Sequence, residues 1–396
     1  MVVQTPVHRV VNPQSMNVEP RIDERIREKN PLKIKKIFID ANIASHPETE
    51  RISRQLDLPT EHVDDPVSIY QWINSAADPV SRGKQVLYLT RNKGGFLKSC
   101  PGTRDYTCCD YQILHVASFC TMDCAYCILQ SYFHPPLLQF FVNREDLDAE
   151  LTGLFKKKTV SRVGTGEFTD SLIWERWTDL TDYLVSRFAR QDRSVLELKT
   201  KTVNIERLKG LDHRRKTILS WSLNTPAVMQ SEERRTASLD ARLKAAARCQ
   251  KWGYPLAFHF DPMIIYHGCE TDYRWVVKEL FQRISAENIV WISLGTFRFM
   301  PALKPLIARR FPDSKIAYGE FVTGLDNKMR YFKPLRIALY RQMVGWIRDA
   351  APDVTVYFCM EDDEVWKKTM GWVPSPHGGL GRMLDKRAIK ICDLTP

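Results

Sequence analysis

Short apolar runs alternate with amphipathic stretches from Tyr111 to Phe321, and this alternation limits the folds open to the chain. Runs such as "FFVN", "SVLELKT", "TILSWSLN", "PLAFHFDP" and "NIVWISLG" predict strands, and stretches such as "VNIERLKGL" after them predict helices. Strands that alternate with helices form βα units around a parallel sheet. The region holds six or seven such units, whereas a closed eightfold barrel takes about 250 residues. The sequence therefore predicts an α/β fold, a partial (β/α)6-type open barrel.

The sequence on either side of this region divides the chain into further units. Residues 1–34 are polar, basic and interrupted by proline, which predicts a tail or an arm. Residues 35–105 hold two strand patterns and one helical pattern, so we expect a small N-terminal α/β extension. The barrel then occupies residues 106–360. Residues 361–396 form a C-terminal helix and tail, in which the glycine-rich "SPHGGLGR" predicts a loop.

The charge of the chain suggests the chemistry of its partner. Lysine and arginine number 58 against 47 aspartates and glutamates, a net charge of +11. This excess favours a polyanion, with nucleic acid the first choice, although a basic enzyme surface gives the same count. No apolar run reaches the roughly 18 residues that cross a bilayer, and the N-terminus lacks the features of a signal peptide. We therefore expect a cytoplasmic protein with no membrane contact.

Ten cysteines without an export signal favour metal binding or thiol chemistry over disulfides. Cys120, Cys124 and Cys127 follow a predicted strand in "SFCTMDCAYCILQSYF", with the spacing C-x3-C-x2-C. Fe–S clusters are held by cysteine thiolates, usually four of them. Three ligands to a four-iron cluster leave one iron open for a substrate or cofactor. Zinc with His134 nearby and buried structural thiols are the alternatives.

The cysteine motif resembles that of the radical S-adenosylmethionine enzymes, and other stretches resemble the spore photoproduct lyase family within them. The stretches, within about Lys84 to Cys359, are "CPGTRDYTCCDYQILHVASFCTMDCAYCILQ", "SWSLN", "RTASLDARLKAAARCQKWGYPLAFHFDPMIIYHG" and "DYRW". The resemblance implies the radical SAM partial barrel and a [4Fe–4S] cluster with S-adenosyl-L-methionine on its open iron. It also implies reduction by a flavodoxin or ferredoxin, and a 5′-deoxyadenosyl radical that starts repair of a thymine photoproduct in ultraviolet-damaged DNA.

The resemblance also implies roles for four residues of the cysteine loop. Cys120, Cys124 and Cys127 match the family's cluster ligands. Tyr126 matches an aromatic residue that packs beside the adenine of the cofactor, and we count Tyr126 and Glu167 as the catalytic candidates. The plain structural alternative for Tyr126 is an aromatic residue that only packs.

Four further residues match the family's cofactor site. Gly166 and Glu167, in "GTGEFTD", resemble the element that receives the methionine ammonium through a charge-assisted pair. Lys201 matches a lysine that reaches the cofactor carboxylate, and Ser222 matches a serine near the ribose or carboxylate. A strand-to-helix turn and ordinary polar strand ends are the alternatives. "KMRYF", Lys328–Phe332, matches a basic and aromatic hairpin that contacts damaged DNA, or is a solvated loop.

The chain departs from the family at two positions. Characterised members carry a hydrogen-donating cysteine where this chain has Glu167, and a tyrosine where it has Ile128. A carboxylate is a poor hydrogen-atom donor and isoleucine has no O–H, so we expect the hydrogen-return step to differ from that of the family. Other thiols could return hydrogen, hold a second cluster or simply be buried; these are Cys108, Cys109 and Cys269, with Cys100 close to the first two.

Three functions follow from these observations. The first is a radical lyase that repairs a thymine photoproduct. The second is a radical enzyme that acts on another nucleic-acid or small-molecule substrate with a changed hydrogen-return step. The third is an Fe–S protein that binds DNA or senses redox state, against which Glu167, Lys201 and Ser222 argue, because a sensor needs no methionine pocket.

Overall fold

The strands form three sheets in the computed structural model, which describes residues 34–100, 102 and 105–396. The tail expected over residues 1–34 lies outside the described residues except for Ile34. In chain order the strands are β1 (Lys36–Asp40), β2 (Thr60–Val63), β3 (Val86–Thr90), β4 (Leu97–Ser99), β5 (Gln112–Leu114), β6 (Ala117–Ser118), β7 (Leu138–Phe141), β8 (Ser161–Gly164), β9 (Ser194–Thr200), β10 (Thr217–Ser222), β11 (Leu256–Met263), β12 (Ile289–Thr296), β13 (Arg298–Phe299), β14 (Phe321–Thr323), β15 (Met329–Tyr331) and β16 (Val356–Phe358).

Several α-helices begin after residues that cap them. Thr225, Ser238 and Asp362 each accept a hydrogen bond from the backbone N–H three residues later. The helices are α1 (Pro47–Leu56), α2 (Val67–Asn74), α3 (Pro79–Gly83), α4 (Leu129–Tyr132), α5 (Arg144–Phe155), α6 (Leu180–Ala189), α7 (Pro226–Glu232), α8 (Leu239–Lys251), α9 (Cys269–Arg283), α10 (Leu303–Arg310), α11 (Lys333–Ala350), α12 (Asp363–Met370) and α13 (Gly379–Cys392). Within the described ranges, no helix is long and apolar enough to cross a membrane.

The largest sheet has the strand order β16-β12-β11-β10-β9-β8-β5-β4. Its neighbours are parallel except for β4, which pairs antiparallel with β5 at one edge. Every residue of β10 and of β12 is buried, as in parallel sheets with both faces covered. The two edge strands, β4 and β16, are not paired with each other, so the sheet stays open.

The smaller sheet joins the N-terminal extension to the rest of the chain. Its order is β2-β1-β3-β7-β6, so the strands expected in residues 35–105 continue into two strands from beyond that range. The expectation that "FFVN" belongs to the barrel is wrong, because β7 pairs with β3, with Leu138 opposite Leu87. The unit boundaries drawn from the sequence stay a prediction.

Two local expectations differ from the structure. "VNIERLKGL" holds only a short 3-10 turn, Glu206–Leu208, and Gly210 then takes a positive φ of 81°, which ends the turn. "SPHGGLGR" is not a loop throughout, because α13 begins at Gly379. Gly381 lets this helix approach Asp110 closely, since a Cβ there would lie 2.2 Å from Asp110 Oδ2.

Candidate active site

The loop with the three cysteines connects β6 to β7 and contains α4. The Gln130 side-chain amide donates to the carbonyl oxygens of Cys124 (3.1 Å), Ala125 (3.1 Å) and Cys127 (3.2 Å). Cys120 and Cys124 are buried and Cys127 is half-buried. A single buried amide therefore fixes the backbone between the second and third cysteines.

A buried ion cluster anchors the same loop to its neighbours. Asp123 Oδ1 lies 2.8 Å from Lys84 Nζ and 3.0 Å from Arg310 Nη2. Burial alone would raise the pKa of Asp123, but the two cations outweigh burial and lower it. The Ala125 N–H donates to the Glu232 carbonyl at 2.8 Å. The loop is thus tied to the N-terminal extension, to α10 and to the end of α7.

All the site residues predicted from the sequence line one cavity of about 180 Å³. They are Cys120, Cys124, Cys127, Tyr126, Gly166, Glu167, Lys201 and Ser222. Gly166 and Glu167 follow β8, Lys201 follows β9, and Ser222 ends β10. The C-terminal ends of neighbouring parallel strands meet at one edge of the sheet, which brings these residues together. The roles assigned to them stay predictions.

Glu167 forms an ion pair that the sequence analysis missed. Lys199 Nζ lies 2.6 Å from Glu167 Oε1. Burial disfavours the charged form of Lys199, but Glu167 outweighs burial and the pKa of Lys199 is raised, so the ammonium stays charged. A Cβ at Gly166 would lie 2.7 Å from the Cβ of Lys199, so glycine permits this close packing. Strand alternation could have revealed the residue, because Lys199 and Lys201 stand two apart in "LKTKT".

Tyr126 belongs to a buried network that reaches Ser222. Its hydroxyl donates to Glu233, and Glu233 pairs with Arg242. Arg242 Nη1 donates to the Ser222 carbonyl at 2.7 Å. Burial alone would raise the pKa of Glu233, but Arg242 and Lys201 outweigh it and lower the pKa. Lys201 Nζ lies 5.7 Å from the centroid of the Tyr126 ring, so tyrosine, lysine and serine are positioned together.

Asp170 is a second residue of this cavity that the sequence analysis did not select. Its carboxylate accepts from the Lys201 N–H (2.8 Å), the Thr200 hydroxyl (2.8 Å) and the Leu172 N–H (3.0 Å). Burial nonetheless raises the pKa of Asp170. The carboxylate fixes the backbone on which Lys201 stands. The sequence feature that could have indicated Asp170 is its position at the end of "GTGEFTD".

A larger cavity of about 650 Å³ adjoins the first. Six residues line both cavities: Tyr126, Cys127, Ile128, Leu129, Glu167 and Asp261. Tyr132 and Phe168 stack in its wall with ring centroids 5.8 Å apart and planes at 14°. Lys328, from the turn between β14 and β15, also lines it. Its volume falls in the range of about 300–1,000 Å³ typical of ligand sites.

The positions tied to hydrogen return lie in different places. Ile128 lines both cavities and is partly exposed. Cys108 and Cys109 line a third, small cavity together with Cys100. Cys269 is buried at the start of α9 and is not among the described residues that line any of the three.

The donor set fits a multi-iron cluster with an amino-acid ligand beside it. Three thiols that line one cavity can each bind a different iron. The same cavity offers the Glu167 carboxylate to an ammonium, and the Lys201 ammonium and Ser222 hydroxyl to a carboxylate. No group of three or more His, Cys, Asp or Glu side chains in the described residues is arranged to hold a single metal ion. His134, the further zinc ligand considered, contacts the Ser131 carbonyl at 3.0 Å.

Comparison with known proteins decides the family. A family model for spore photoproduct lyase matches residues 103–332, more than half of the chain. The chain belongs to the spore photoproduct lyase family.

Two curated members of the spore photoproduct lyase family show how far the similarity extends. The enzyme of Clostridium acetobutylicum is 24% identical over 227 residues, 57% of this chain and 65% of that protein. The enzyme of Bacillus subtilis is 26% identical over 222 residues, 55% of this chain and 63% of that protein. The chain thus spans a little less than two thirds of the length of these relatives.

Solved structures in the spore photoproduct lyase family share the fold. A variant of the lyase matches with a TM-score of 0.73 and 20% identity, over 83% of this chain and all of that one. Another variant, solved with bound AdoMet and dinucleoside spore photoproduct, matches with a TM-score of 0.72 and 20% identity over the same 83% of this chain. The prediction of a partial (β/α)6-type open barrel is confirmed.

Proposed function

We propose that this chain is a radical S-adenosylmethionine lyase that reverses a thymine photoproduct in ultraviolet-damaged DNA. The observation that carries the proposal is the convergence of three thiols, a carboxylate, a lysine and a serine on one cavity that adjoins a larger one. Membership of the spore photoproduct lyase family supports the reaction class. Related proteins solved with dinucleoside spore photoproduct support the choice of substrate.

Cys120, Cys124 and Cys127 would hold a [4Fe–4S] cluster, and Gly166, Glu167, Lys201 and Ser222 would face S-adenosyl-L-methionine. When bound, this cofactor supplies a carbon-centred radical through one-electron cleavage of its sulfonium. A flavodoxin or ferredoxin in the cytoplasm as the source of that electron is part of the same proposal.

The side chains of the smaller cavity prepare it for a zwitterionic ligand. The Glu167 carboxylate already pairs with Lys199 and is held in place by that pair. The ammonium of a ligand would share this carboxylate with Lys199. Lys201 stands on backbone fixed by Asp170. The Tyr126 hydroxyl is engaged by Glu233, which turns the ring, rather than the O–H, toward the Lys201 ammonium. Cys120, Cys124 and Tyr126 are buried, so these side chains are largely shielded from bulk solvent.

The larger cavity suits a pair of nucleobases. The stacked Tyr132 and Phe168 rings offer an aromatic surface, and each base stacked on such a surface contributes about 1–3 kcal/mol. Lys328, in the turn between the antiparallel strands β14 and β15, lines this cavity. Its ammonium lies 3.2 Å from Asp326 Oδ2 and could also meet a phosphate. Leu325 at the tip of this hairpin is 68% exposed. An apolar side chain there can insert between base steps of distorted DNA.

The experiment uses the full chain with its cluster reconstituted under anaerobic conditions. S-adenosylmethionine and dithionite are added, and 5′-deoxyadenosine is measured first. A dinucleoside thymine photoproduct is then supplied, with an undamaged thymine dinucleoside in parallel. We expect 5′-deoxyadenosine in both reactions and new thymine product only from the photoproduct.

Matched cysteine variants test the cluster. Cys124→Ala should lose most of its iron and at least 100-fold of its 5′-deoxyadenosine formation, whereas Cys249→Ala, at a buried thiol in α8, should keep both. A protein that holds its cluster yet cleaves no S-adenosylmethionine would refute the proposal. Cleavage that leaves the photoproduct untouched would favour another nucleic-acid or small-molecule substrate.

A further inference from the structure

Four cysteines outside the cluster loop meet where the two edges of the open barrel approach each other. Cys100 follows β4, Cys108 and Cys109 precede β5, and Cys359 follows β16. All four line a cavity of about 20 Å³. A bond from the Thr107 N–H to the Glu361 carbonyl, 3.0 Å, joins the two edges beside them. These thiols are far apart in sequence and are gathered by the curl of the sheet.

Cys100 belongs to two cavities. It lines the small thiol cavity and also the 650 Å³ cavity proposed for the substrate. Glu167 is close enough for its charge to act on the Cys100 thiol. Among the described residues that line the larger cavity, the thiols are Cys100 and Cys127, and Cys127 is assigned to the cluster. Cys100 is therefore the thiol that can face a substrate there.

The four thiols differ in protonation, and those that keep their S–H at neutral pH can donate a hydrogen atom. Burial raises the pKa of Cys100 to about 12 and that of Cys359 to about 11, so both keep their S–H at neutral pH. Cys108 is exposed, and a hydrogen bond from Cys109 lowers the pKa of Cys108 to about 6. The group therefore runs from a protonated thiol at the substrate cavity to a reactive thiol at the surface.

We propose that Cys100 donates the hydrogen atom that quenches the substrate radical, and that Cys109 and Cys359 link it to thiols in the solvent. This inference rests on the proposed function. The Cys100 S–H bond breaks homolytically, a C–H bond forms on the substrate, and a thiyl radical remains on Cys100. Hydrogen-atom exchange with a neighbouring S–H moves that radical toward the surface.

A low-molecular-weight thiol in the solvent restores the S–H bond that the cysteine group loses. It gives a hydrogen atom to the cysteine group and becomes a thiyl radical, and two such radicals combine into a disulfide. Each turnover then uses one electron, one S-adenosylmethionine and one thiol hydrogen. The substrate loses one hydrogen atom to 5′-deoxyadenosine and regains one from Cys100, so its composition is unchanged.

The test compares the wild-type protein with Cys100→Ser, Cys100→Ala and Tyr132→Phe, with Cys269→Ser as the matched control at a buried thiol outside the cavities. Each reconstituted protein receives the dinucleoside photoproduct and dithiothreitol in D2O. Three quantities are measured: 5′-deoxyadenosine, thymine product per 5′-deoxyadenosine, and deuterium in the product. Iron content and circular dichroism show whether each variant is folded and loaded.

The wild type and Cys269→Ser should place one deuterium in the product, because thiol hydrogens exchange with solvent. Both Cys100 variants should form 5′-deoxyadenosine with at least tenfold less product, because the substrate radical must then take its hydrogen atom from a more distant thiol or from dithiothreitol. A wild-type ratio of product to 5′-deoxyadenosine in Cys100→Ser or Cys100→Ala, product without deuterium from the wild type, or loss confined to Tyr132→Phe would overturn the inference. Wild-type protein without 5′-deoxyadenosine would instead refute the proposed function, and the inference with it.

A second readout needs no catalysis. In the folded protein at pH 7, iodoacetamide should alkylate Cys108 at least tenfold faster than Cys100, and urea should abolish the difference. Equal rates in the folded protein would overturn the order of thiols from interior to surface.

Discussion

Replacing Arg242 by methionine tests the network that positions Tyr126. Arg242 and Glu233 are 0% and 1% exposed, and methionine leaves Glu233 buried without its cation. It also removes the donors to the Ser222 carbonyl (2.7 Å) and the Ala237 carbonyl (3.0 Å). Breaking a buried pair by removing one partner costs about 3–5 kcal/mol. We expect the free energy of unfolding to fall by that amount, as measured by urea denaturation at pH 8.

The same helix provides the control. Arg248 in α8 pairs with Glu206 at 2.6 Å, but the two side chains are 50% and 68% exposed. Exposed pairs contribute about 0–1 kcal/mol, so Arg248→Met should lower the free energy of unfolding by less than about 1 kcal/mol. Equal losses in the two variants would refute the assignment of Arg242 to a buried network.

The pH dependence of the Arg242→Met effect gives a further check. In the wild type the folded-state pKa of Glu233 is lowered. The contribution of Glu233 to the free energy of unfolding is therefore present above its unfolded-state pKa and is lost as pH falls through its folded-state pKa. Without Arg242, burial would raise that pKa, and the penalty would disappear as Glu233 becomes protonated. The destabilisation should therefore be smaller at pH 5 than at pH 8. A loss that is equal at both pH values would contradict this explanation.

Two other substitutions test the core, and a third, at an exposed glycine, is the control for the second. Burial raises the pKa of Glu175 to about 7, so Glu175 makes the fold less stable as pH rises from about 4.5 to about 7. Glu175→Gln should therefore raise the melting temperature more at pH 8 than at pH 5. An equal rise at both pH values would contradict the raised pKa of Glu175. A Cβ at Gly164 would lie 1.5 Å from the Tyr111 hydroxyl, so Gly164→Ala should cost about 1–3 kcal/mol in urea denaturation. Gly153 in α5 is exposed with no atom within 4 Å of its Cβ position, so Gly153→Ala should gain about 0.5–1 kcal/mol; a gain at both glycines would contradict the packing argument.

Much of the barrel could be predicted from the sequence because its strands are buried on both faces and read as runs rich in apolar residues, as in "IVWISLGT" of β12. Such a run does not indicate which other strand it will pair with. The apolar pattern of "FFVN" suits either sheet, and only the folded chain shows β7 beside β3. Likewise, the glycines of "SPHGGLGR" suggested a loop. Gly381 instead permits the close approach of α13 to Asp110, a contact between residues far apart in the chain that no local pattern indicates.

The site was predictable where a short motif carries the chemistry. The three cysteines and the strand-end residues Lys201 and Ser222 meet in one cavity because parallel strands end at one edge. The residues that support them were not predictable in the same way. Glu233 and Arg242 lie in loops and helices between the motifs, and their role depends on contacts with Tyr126 and Ser222 that no local pattern encodes.

The order of the strands in the largest sheet has a consequence for synthesis of the chain on the ribosome. From β5 through β8, β9, β10, β11 and β12 to β16, each strand lies beside the one made before it. Each of these strands therefore finds its neighbour in the sheet already synthesised when it emerges. The cysteine loop emerges early, yet its Ala125 N–H bonds to the carbonyl of Glu232. More than a hundred residues after Cys127 must be translated before Glu232 is available and the loop can hold its final shape. A nascent chain therefore exposes the three thiols of the loop before it can bury them.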